Sequence, residues 1–323
     1  MTNPIISILT PTWNRAAYLS DLWEALQGQT YGEFEWIVAN DGSTDNTLET
    51  IEGLAGHSRF PVVLVNASTR VGKSRIDNAS VAVARGDFIL WCDSDDTLMP
   101  NALEELLQAW RSIPPQEREE FCGVTALCET ETGVLGKRYP KATHTDLPLC
   151  DLLNMMQSDL VIFTRADLLK LHPFPEVDFL IPESSVWCQI GEKKTRFVPR
   201  VLEKKRYGEK DCLSFSGRME YNRGRALALA LTKDSAQKRL SRKGRVFRSI
   251  NYIRYCLHGE VSVREALRNW GGGLPEFFGL LVLSPLALGL AFKDQLAGKV
   301  RWTHREFLDA QRSARIESRI VNQ

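Results

Sequence analysis

The chain has 323 residues, of which 43% are hydrophobic and 25% are charged. This composition is ordinary for a globular protein of one large domain with appendages or of two domains, and it excludes a disordered or fibrous chain. The net charge of +1 hides an asymmetry, because residues 1–192 carry 13 Lys and Arg against 28 Asp and Glu, whereas residues 193–323 carry 28 against 12. The basic part is therefore expected to meet phosphates, lipid headgroups or nucleic acid.

The cysteines and the first residues indicate a reducing compartment. The seven cysteines include no Cys-x-x-Cys pair, and an odd number cannot all be joined in disulfides within the chain. Residues 1–5 lack the positive charge and apolar stretch of a signal peptide and are already strand-like. We therefore predict a cytoplasmic protein.

The first hundred residues alternate between strand and helix patterns. Strands are predicted at 5–9, 34–39, 62–65 and 87–92, and helices at 18–27, 44–54, 75–85 and 97–112. Apolar strands separated by helices predict an α/β fold with a mostly parallel sheet that helices cover on both faces. A charged loop follows at 113–120, and residues 121–215 mix short strands and helices.

The C-terminal region, residues 216–323, is predicted to be basic and helical. A basic helix spans 239–258, and an apolar run of 16 residues follows at 277–292 with Pro285 inside it. This run is shorter than the roughly 20 residues that a membrane-spanning helix needs. Peripheral contact with an anionic membrane through residues 239–292 and a buried helical hairpin both stay open. Nucleic-acid binding lacks any accompanying motif, so no nucleic-acid partner is predicted.

Four polar clusters follow the four predicted N-terminal strands, at 10–15, 40–43, 66–75 and 93–96. In parallel α/β sheets, ligands bind beyond the carboxyl ends of the strands, so we expect these clusters to meet at one site. Asp93 and Asp95 supply hard oxygen ligands from one short loop, which suits Mn²⁺ or Mg²⁺ with a phosphate-bearing substrate. A metal-bound diphosphate indicates a nucleotide-linked leaving group.

One segment, ASTRVGKS at 67–74, nearly spells the Walker A phosphate loop. Ala67 stands where that motif has its first glycine, and the intervening residues include β-branched Val71. Asp93 at the end of the fourth predicted strand imitates a Walker B acid. A P-loop nucleotide hydrolase is therefore an alternative, although it leaves the clusters at Thr10 and Asp41 unexplained.

The segments SILTPTWNR (7–15), ANDGSTDNT (39–47), VGKSRIDNA (71–79) and RGDFILWCDSDDTLMP (85–100) together resemble the family-2 glycosyltransferases. A weaker similarity continues through residues 179–187 and 206–214. The resemblance is to inverting enzymes of the GT-A fold that use nucleotide-diphosphate sugars, among them the bacterial capsule, O-antigen and exopolysaccharide types. It implies a catalytic domain over 1–215, with a nucleotide-sugar half at about 1–112 and an acceptor half at about 113–215.

The resemblance also implies a role for each matching residue. It places at the nucleotide-sugar site Thr10, Pro11, Asn14, Asp41, Lys73, Asp93 and Ser94. Asp41 would bind the base, usually uracil, and Lys73 would lie near the base or the diphosphate. Asp95, with Asp93, would ligate the metal. Two positions depart from the family pattern, Asn40 and Asp77.

Glu183 matches the general base of the family, which deprotonates the acceptor hydroxyl. A glutamate between proline and serine is also typical of a helix start, so both interpretations stay open. The expected reaction moves a sugar from a UDP-sugar to a hydroxyl of a glycan or polyprenyl-linked glycan, at the inner face of the cytoplasmic membrane. Besides the P-loop hydrolase, the alternative is a catalytically inactive nucleotide-sugar-binding module.

Overall fold

The computed structural model describes residues 5–136, 138–206, 222–271, 274–297 and 314–322. The chain forms two compact units, one of Met1–Phe174, Ile190–Tyr207 and Ala310–Gln323, the other of Pro175–Gln189 and Gly208–Asp309. The predicted division after residue 215 lies outside the described residues and stays a prediction. Residues 207–214 of the weaker family similarity lie outside them too.

The N-terminal half of the first unit is a parallel α/β sheet. Its strands and helices alternate as predicted: β1 Ile6–Thr12, α1 Ala16–Gln27, β2 Phe34–Asn40, α2 Thr47–Ala55, β3 Val62–Ala67, α3 Lys73–Val83 and β4 Phe88–Trp91. The strands lie in the order β3-β2-β1-β4, and all three pairs are parallel. Every residue of β2 is buried, as a central parallel strand requires.

The second half of this unit extends the sheet with mixed pairing. Its elements are β5 Thr97–Leu98, α4 Ala102–Arg111, a 3₁₀ helix Pro115–Glu120, β6 Phe121–Thr130, β7 Gly133–Val134, β8 Thr145–Pro148, α5 Leu149–Met156, β9 Leu160–Arg165, α6 Ala166–Leu171 and β10 Lys194–Lys204. The order continues from β4 as β9-β6-β10-β5. Only β6 and β10 are parallel there, so the predicted mostly parallel sheet is correct for β1–β4 and the remainder is mixed.

The last strand of the first unit was not predicted. The C-terminal residues Ile316–Ile320 form β11, which pairs antiparallel with β3 at the edge of the sheet. The prediction of a helical tail to residue 323 is therefore wrong for this segment. Its sequence, Ile-Glu-Ser-Arg-Ile, has no apolar alternation that would predict a strand, and the strand with which it pairs lies about 250 residues earlier in the chain.

The described part of the second unit is helical. Its helices are α7 Ser184–Ile190, whose last residue belongs to the first unit, α8 Asn222–Leu231, α9 Lys233–Arg239, α10 Arg242–His258, α11 Val263–Trp270 and α12 Leu274–Leu296. The predicted basic helix is confirmed as α10. Helix α12 is longer than the 16-residue apolar run, because the helix continues through Pro285 and beyond the run at both ends.

The core of the first unit lies between the sheet and the helices that cover it. Ile8 on β1, Trp36 on β2 and Leu90 on β4 are fully buried and belong to one cluster with Leu22 of α1 and Leu106 of α4. Side chains of this size, fully removed from water, each contribute roughly 1.5–3 kcal/mol to the stability of the fold. The core therefore fixes the strands whose carboxyl ends carry the polar clusters.

Candidate functional site

The polar loops after β1, β2, β3 and β4 lie at one edge of the sheet. Strand β1 has β2 on one side and β4 on the other, so the connections from β1 and β4 leave in different directions. In open α/β sheets this reversal opens a crevice at the carboxyl ends of the strands, where ligands bind. The structure thus brings together the four clusters that the sequence predicted.

Asp41 is held by the backbone of the neighbouring loop after β3. Its Oδ1 accepts hydrogen bonds from the backbone N–H groups of Val71 at 2.6 Å and Gly72 at 3.1 Å, and the Arg70 Nε lies 3.8 Å from Oδ2. Burial raises the pKa of Asp41, and the hydrogen bonds from Val71 and Gly72 oppose this effect. The loop after β3 therefore fixes the orientation of a buried carboxylate at the end of β2.

Amide side chains join the neighbouring loops. The Asn14 Oδ1 accepts from the Thr44 N–H at 2.8 Å, and the Asn14 N–H donates to the Ser43 hydroxyl at 2.9 Å. Asn14 has a positive φ of 53°, which asparagine tolerates better than most residues. The Asn40 amide donates to the Asn66 Oδ1 at 2.8 Å. Asn40, where the family pattern commonly has an aspartate, thus links β2 to β3 through a hydrogen bond between side chains.

Three predicted site residues sit in different surroundings. The Thr10 side chain is fully buried, and its Oγ1 accepts from the Trp36 Nε1–H at 2.9 Å, so this hydroxyl stabilises the sheet. Pro11 lies on β1 opposite Ala39 and is partly exposed. The Lys73 Nζ donates to the Asp77 Oδ2 at 2.9 Å.

The Asp77 carboxylate is buried, at one of the two positions that depart from the family pattern. Its ion pair with Lys73 explains why this departure is tolerated, because a buried charge needs a partner. The pair also fixes the Lys73 ammonium group at the first residue of α3, where the loop after β3 ends.

The Asp93-Ser-Asp95 turn follows β4. Asp93 is half-exposed, Ser94 is buried between the two acids, and the Asp95 Oδ2 lies 3.5 Å from the Arg15 Nη1. Burial raises the pKa of Asp95, the Asp93 charge raises it further, and the Arg15 charge lowers it. Two carboxylates therefore share a small volume with incomplete charge compensation.

A buried cluster lies directly behind this turn. The Lys205 Nζ donates to the Asp96 Oδ2 at 2.6 Å and lies 3.6 Å from the Glu203 Oε1 and 3.8 Å from the Asp93 Oδ2. Strand β5 pairs with the end of β10 and so brings Lys205 beside Asp96. Burial raises the pKa of Asp96 to about 7 and raises the pKa of Glu203 as well. Three carboxylates thus surround one ammonium group.

The donor set of the turn suits a divalent metal ion of the Mn²⁺ or Mg²⁺ type. Asp93 and Asp95 are hard oxygen ligands, Asp93 is half-exposed, and the negative charge around them exceeds the positive charge of Arg15 and Lys205. The described residues contain no group of three or more His, Cys, Asp or Glu side chains placed to hold a metal. A metal held by these two acids would therefore complete its coordination with water or substrate oxygens.

Glu183, the predicted general base, belongs to the second compact unit. It is exposed and precedes α7, and its backbone carbonyl accepts from the N–H groups of Val186 and Trp187. The Trp187 Nε1–H lies 3.5 Å from the Glu183 Oε2. This is the helix-start position that the sequence indicated, and it leaves the carboxylate accessible to an acceptor.

Several residues at the site were not among those predicted from the sequence. The Arg70 guanidinium stacks on the Trp13 ring at 3.7 Å from its centroid, above Asp41, and Arg15 pairs with Asp95. Arg15 and Arg70 lie inside the quoted clusters, so their charge next to two acids was a usable signal. Lys205 gave no such signal, because 109 positions separate it from Asp96.

The loop after β3 does not have the character of a P-loop. The N–H groups of Val71 and Gly72, which a phosphate loop would direct at its ligand, are bonded to the Asp41 carboxylate. Strands β3 and β4, whose ends would carry the Walker A and Walker B residues, are separated by β2 and β1. Both observations count against the nucleotide hydrolase.

Comparison with known proteins identifies the N-terminal segment. Residues 7–117 match the profile of the family described as Glycosyl transferase family 2. Over 105 residues, the chain is 39% identical to a chondroitin synthase of Pasteurella multocida. The matched segment covers 32% of this chain and 11% of that protein. It is 24% identical over 204 residues to the Campylobacter jejuni GalNAc(5)-diNAcBac-PP-undecaprenol beta-1,3-glucosyltransferase, covering 62% of the chain and 63% of that protein.

A solved structure supports the fold over nearly the whole chain. The S. aureus TarS fragment 1–349, crystallised with UDP-GlcNAc, superposes with a TM-score of 0.55 at 18% sequence identity, and the match covers 97% of this chain and 96% of that one. At this identity the likeness establishes a shared fold. The GT-A-like α/β fold predicted from the sequence is confirmed.

Proposed function

Since residues 7–117 belong to glycosyl transferase family 2, we propose that this protein transfers a sugar from a nucleotide-diphosphate sugar, with a UDP-sugar as the expected donor. The acceptor would be a hydroxyl of a glycan or of a polyprenyl-linked glycan. Of the relatives described above, one is named as a chondroitin synthase and one as a glucosyltransferase for a PP-undecaprenol-linked substrate. The chain spans 11% of the first relative and 63% of the second, so activity and substrate are proposals for this protein.

One observation carries the proposal. Asp41 at the end of β2 is fixed by two backbone donors, and the Asp93-Ser-Asp95 turn follows β4, two strands away across β1. A fixed carboxylate suits the N–H of a uracil base, and the acidic turn suits a metal-bound diphosphate. Trp13, which is 41% exposed beneath Arg70, offers a flat surface at the same edge of the sheet.

The acidic turn would hold the metal. Asp95, with Asp93, would ligate Mn²⁺ or Mg²⁺, and the ion would neutralise charge on the diphosphate as it leaves. The chain's own cations would act around it: Arg15 orients the Asp95 carboxylate, and Lys205 holds Asp96 behind the turn. Thr10, Pro11, Asn14, Lys73 and Ser94 would shape the donor pocket, Thr10 through the packing of β1.

Glu183 would serve as the general base of an inverting transfer. Its exposed position before α7 allows it to accept a proton from an acceptor hydroxyl, and a positioned base typically contributes about 10²–10⁴-fold to the rate. In an inverting reaction that hydroxyl attacks the anomeric carbon from the face opposite the departing nucleoside diphosphate.

The test combines a donor screen with one substitution. Purified protein is incubated with UDP-sugars and GDP-sugars, with Mn²⁺ or with EDTA, and release of the nucleoside diphosphate is measured. We expect release from a UDP-sugar only with the metal. Glu183→Gln should bind UDP as the unchanged protein does and lose transfer, and retained transfer would refute the base assignment. UDP binding without hydrolysis or transfer of any sugar would favour an inactive binding module.

We also propose that the protein contacts an anionic membrane surface through residues 239–292, at the inner face of the cytoplasmic membrane. The exposed side of α12 is apolar over most of its length: it comprises Phe278, Leu281, Val282, Leu286, Leu288, Phe292 and Leu296. By length and composition, residues Phe278–Leu296 qualify as a membrane span, with 17% of the segment buried. Residues 222–297 carry 13 Lys and Arg against 5 Asp and Glu.

The buried side of α12 favours an orientation along the membrane surface. Asp294 accepts hydrogen bonds from Arg254 at 2.6 Å and from His258 at 3.1 Å, both on α10. Arg242, Lys243 and Arg245 at the start of α10 are exposed. A helix attached to a basic neighbour by a buried ion pair can embed its apolar face while the basic residues meet lipid headgroups.

Vesicle sedimentation tests this second proposal. The full chain should co-sediment with vesicles that contain phosphatidylglycerol and much less with phosphatidylcholine vesicles. Val282→Glu should reduce the bound fraction roughly tenfold, because a charge replaces an apolar side chain that is 77% exposed on α12. Gln295→Glu adds the same charge at an exposed polar position of the helix and should have little effect. Equal binding by all three proteins would refute the proposal.

A further inference from the structure

The C-terminal strand β11 reaches the loop that holds Asp41. Ile316 lies opposite Ala67 and Glu317 opposite Asn66, so the first half of β11 pairs with the site end of β3. Beyond the strand, the Ser68 N–H donates to the Arg315 carbonyl at 2.9 Å. The Arg315 N–H in turn donates to the Ser68 hydroxyl at 3.2 Å.

The same loop is confined on its other side by Gly42. A Cβ on Gly42, whose φ is +64°, would lie 2.3 Å from the Thr69 carbonyl carbon and 2.4 Å from the Arg70 nitrogen. The backbone of residues 68–70 is therefore enclosed between the Arg315 end of β11 and the loop after β2. The residues that follow at once, Val71 and Gly72, donate the hydrogen bonds that fix Asp41.

The far end of β11 is anchored independently of the site. The Val321 N–H donates to the Val62 carbonyl at 2.9 Å, and the Asn322 Oδ1 accepts from the Val62 N–H at 2.7 Å. The Asn322 amide also donates to the Phe60 carbonyl at 2.8 Å. β11 is thus attached to the amino end of β3 at Val321 and Asn322. Its other end, at Arg315, separately bonds to the loop at the carboxyl end of β3.

We propose that β11 is a positioning strand for the donor site, which sets the loop at 68–72 so that its N–H groups hold Asp41. Without β11, β3 would be the edge of the sheet, and the loop would be held on the Gly42 side alone. The proposal rests on the proposed function, because Asp41 is read there as the residue that binds the nucleotide base. It assigns to the C-terminal segment an effect on donor affinity.

The register of the strands supplies a matched set of variants. Hydrogen-bonded residues alternate along an antiparallel ladder, so the bonds at Arg315 and Val321 direct the N–H groups of Glu317 and Arg319 towards β3. Glu317→Pro removes one donor at the site end, and Arg319→Pro removes one at the far end. Glu317→Ala changes the same exposed side chain and keeps the donor.

UDP affinity and amide exchange are measured for these full-length variants, at a temperature well below the lowest melting temperature. Glu317→Pro should weaken UDP binding about tenfold and speed amide exchange at Val71 and Gly72, since their hydrogen bonds to a charged group would be disturbed. Glu317→Ala should match the unchanged protein. Arg319→Pro should lower the melting temperature as Glu317→Pro does and leave UDP affinity within about twofold.

Two results would overturn the proposal. Either UDP affinity and exchange at Val71 and Gly72 stay unchanged in Glu317→Pro, or both proline variants weaken binding equally, which would mark β11 as a general stabiliser. Absence of UDP binding by the unchanged protein would contradict the proposed function instead. In that case amide exchange at Val71 and Gly72 still decides whether β11 sets the loop.

Discussion

The loops after β1–β4 bury charged groups, whereas helix α12 exposes apolar ones. At the loops, Asp41 is held by two backbone N–H groups and Asp96 by Lys205, so these two buried carboxylates have partners before any ligand arrives. On α12, Val282 and Leu296 are 77% and 75% exposed, and one buried acid, Asp294, attaches the helix to its neighbour. The proposed site for a small charged ligand and the proposed membrane-binding surface therefore differ in which side chains they bury, charged ones at the loops and a single acid on α12.

The largest expected effect comes from removing Asp95, the carboxylate that we propose as the metal ligand. Asp95→Ala should lower metal-dependent transfer at least about 100-fold, because the charge developing on the diphosphate would lose its compensation. Binding of Mn²⁺, measured by electron paramagnetic resonance, should weaken in parallel. Asp87→Ala, at the opposite end of β4, is exposed and should leave both unchanged. If the two variants behave alike, the turn does not bind the metal.

Removal of the buried ammonium group should have the next largest effect. Lys205→Met leaves Asp96 and Glu203 buried without their cation and should lower the free energy of unfolding by about 3–5 kcal/mol. Lys194→Met, at the start of β10, breaks an exposed pair with Glu120 and should change the free energy of unfolding far less, because water and salt screen that pair. Urea unfolding compares them. Equal losses would mean that the buried cluster does not stabilise the turn.

The stability that the ion pair between Asp294 of α12 and α10 contributes should depend on pH. Burial raises the pKa of Asp294, but hydrogen bonds from Arg254 and His258 outweigh it, so the pKa is lowered in the folded protein. The stability that this pair contributes is therefore present above the pKa of an unfolded aspartate and is lost as pH falls through the lower folded value. Asp294→Asn should cost about 1–3 kcal/mol at neutral pH and reduce the loss of stability in acid. Urea unfolding at pH 7 and pH 3 measures both, and an unchanged acid profile would contradict the assignment.

The smallest effect is expected at Asn40. Asn40→Asp places a second carboxylate beside Asp41 and repels the Asn66 Oδ1, which the Asn66 amide can relieve by rotating to present its NH₂ group. UDP affinity should therefore change by less than about threefold, as calorimetry would show. A change above tenfold would mean that Asn40 itself contacts the nucleotide.

The alternation of apolar strands and helices over residues 5–112 was sufficient to predict eight of the nine elements there, because each of the eight buries a continuous or periodic apolar pattern. The polar clusters at Asp41 and Asp93 were visible for the same reason, since charged residues directly after buried strands must lie at the ends of those strands. The two-residue β5 lies inside the predicted helix at 97–112 and was missed. The pattern failed beyond residue 113, where short strands pair antiparallel with partners far apart in the sequence. The assignments of Glu183 and of residues 207–214 remain predictions.

By itself, the sequence determined the α/β class of the N-terminal segment, its acidic turn and the apolar run that became α12. These properties depend on residues within one element or on its immediate neighbours. The tertiary structure alone decided that β11 would close the edge of β3 and that Lys205 would stand behind Asp96. Both contacts join residues more than a hundred positions apart, and the free energy that selects them comes from packing and charge compensation in the folded chain rather than from local preference.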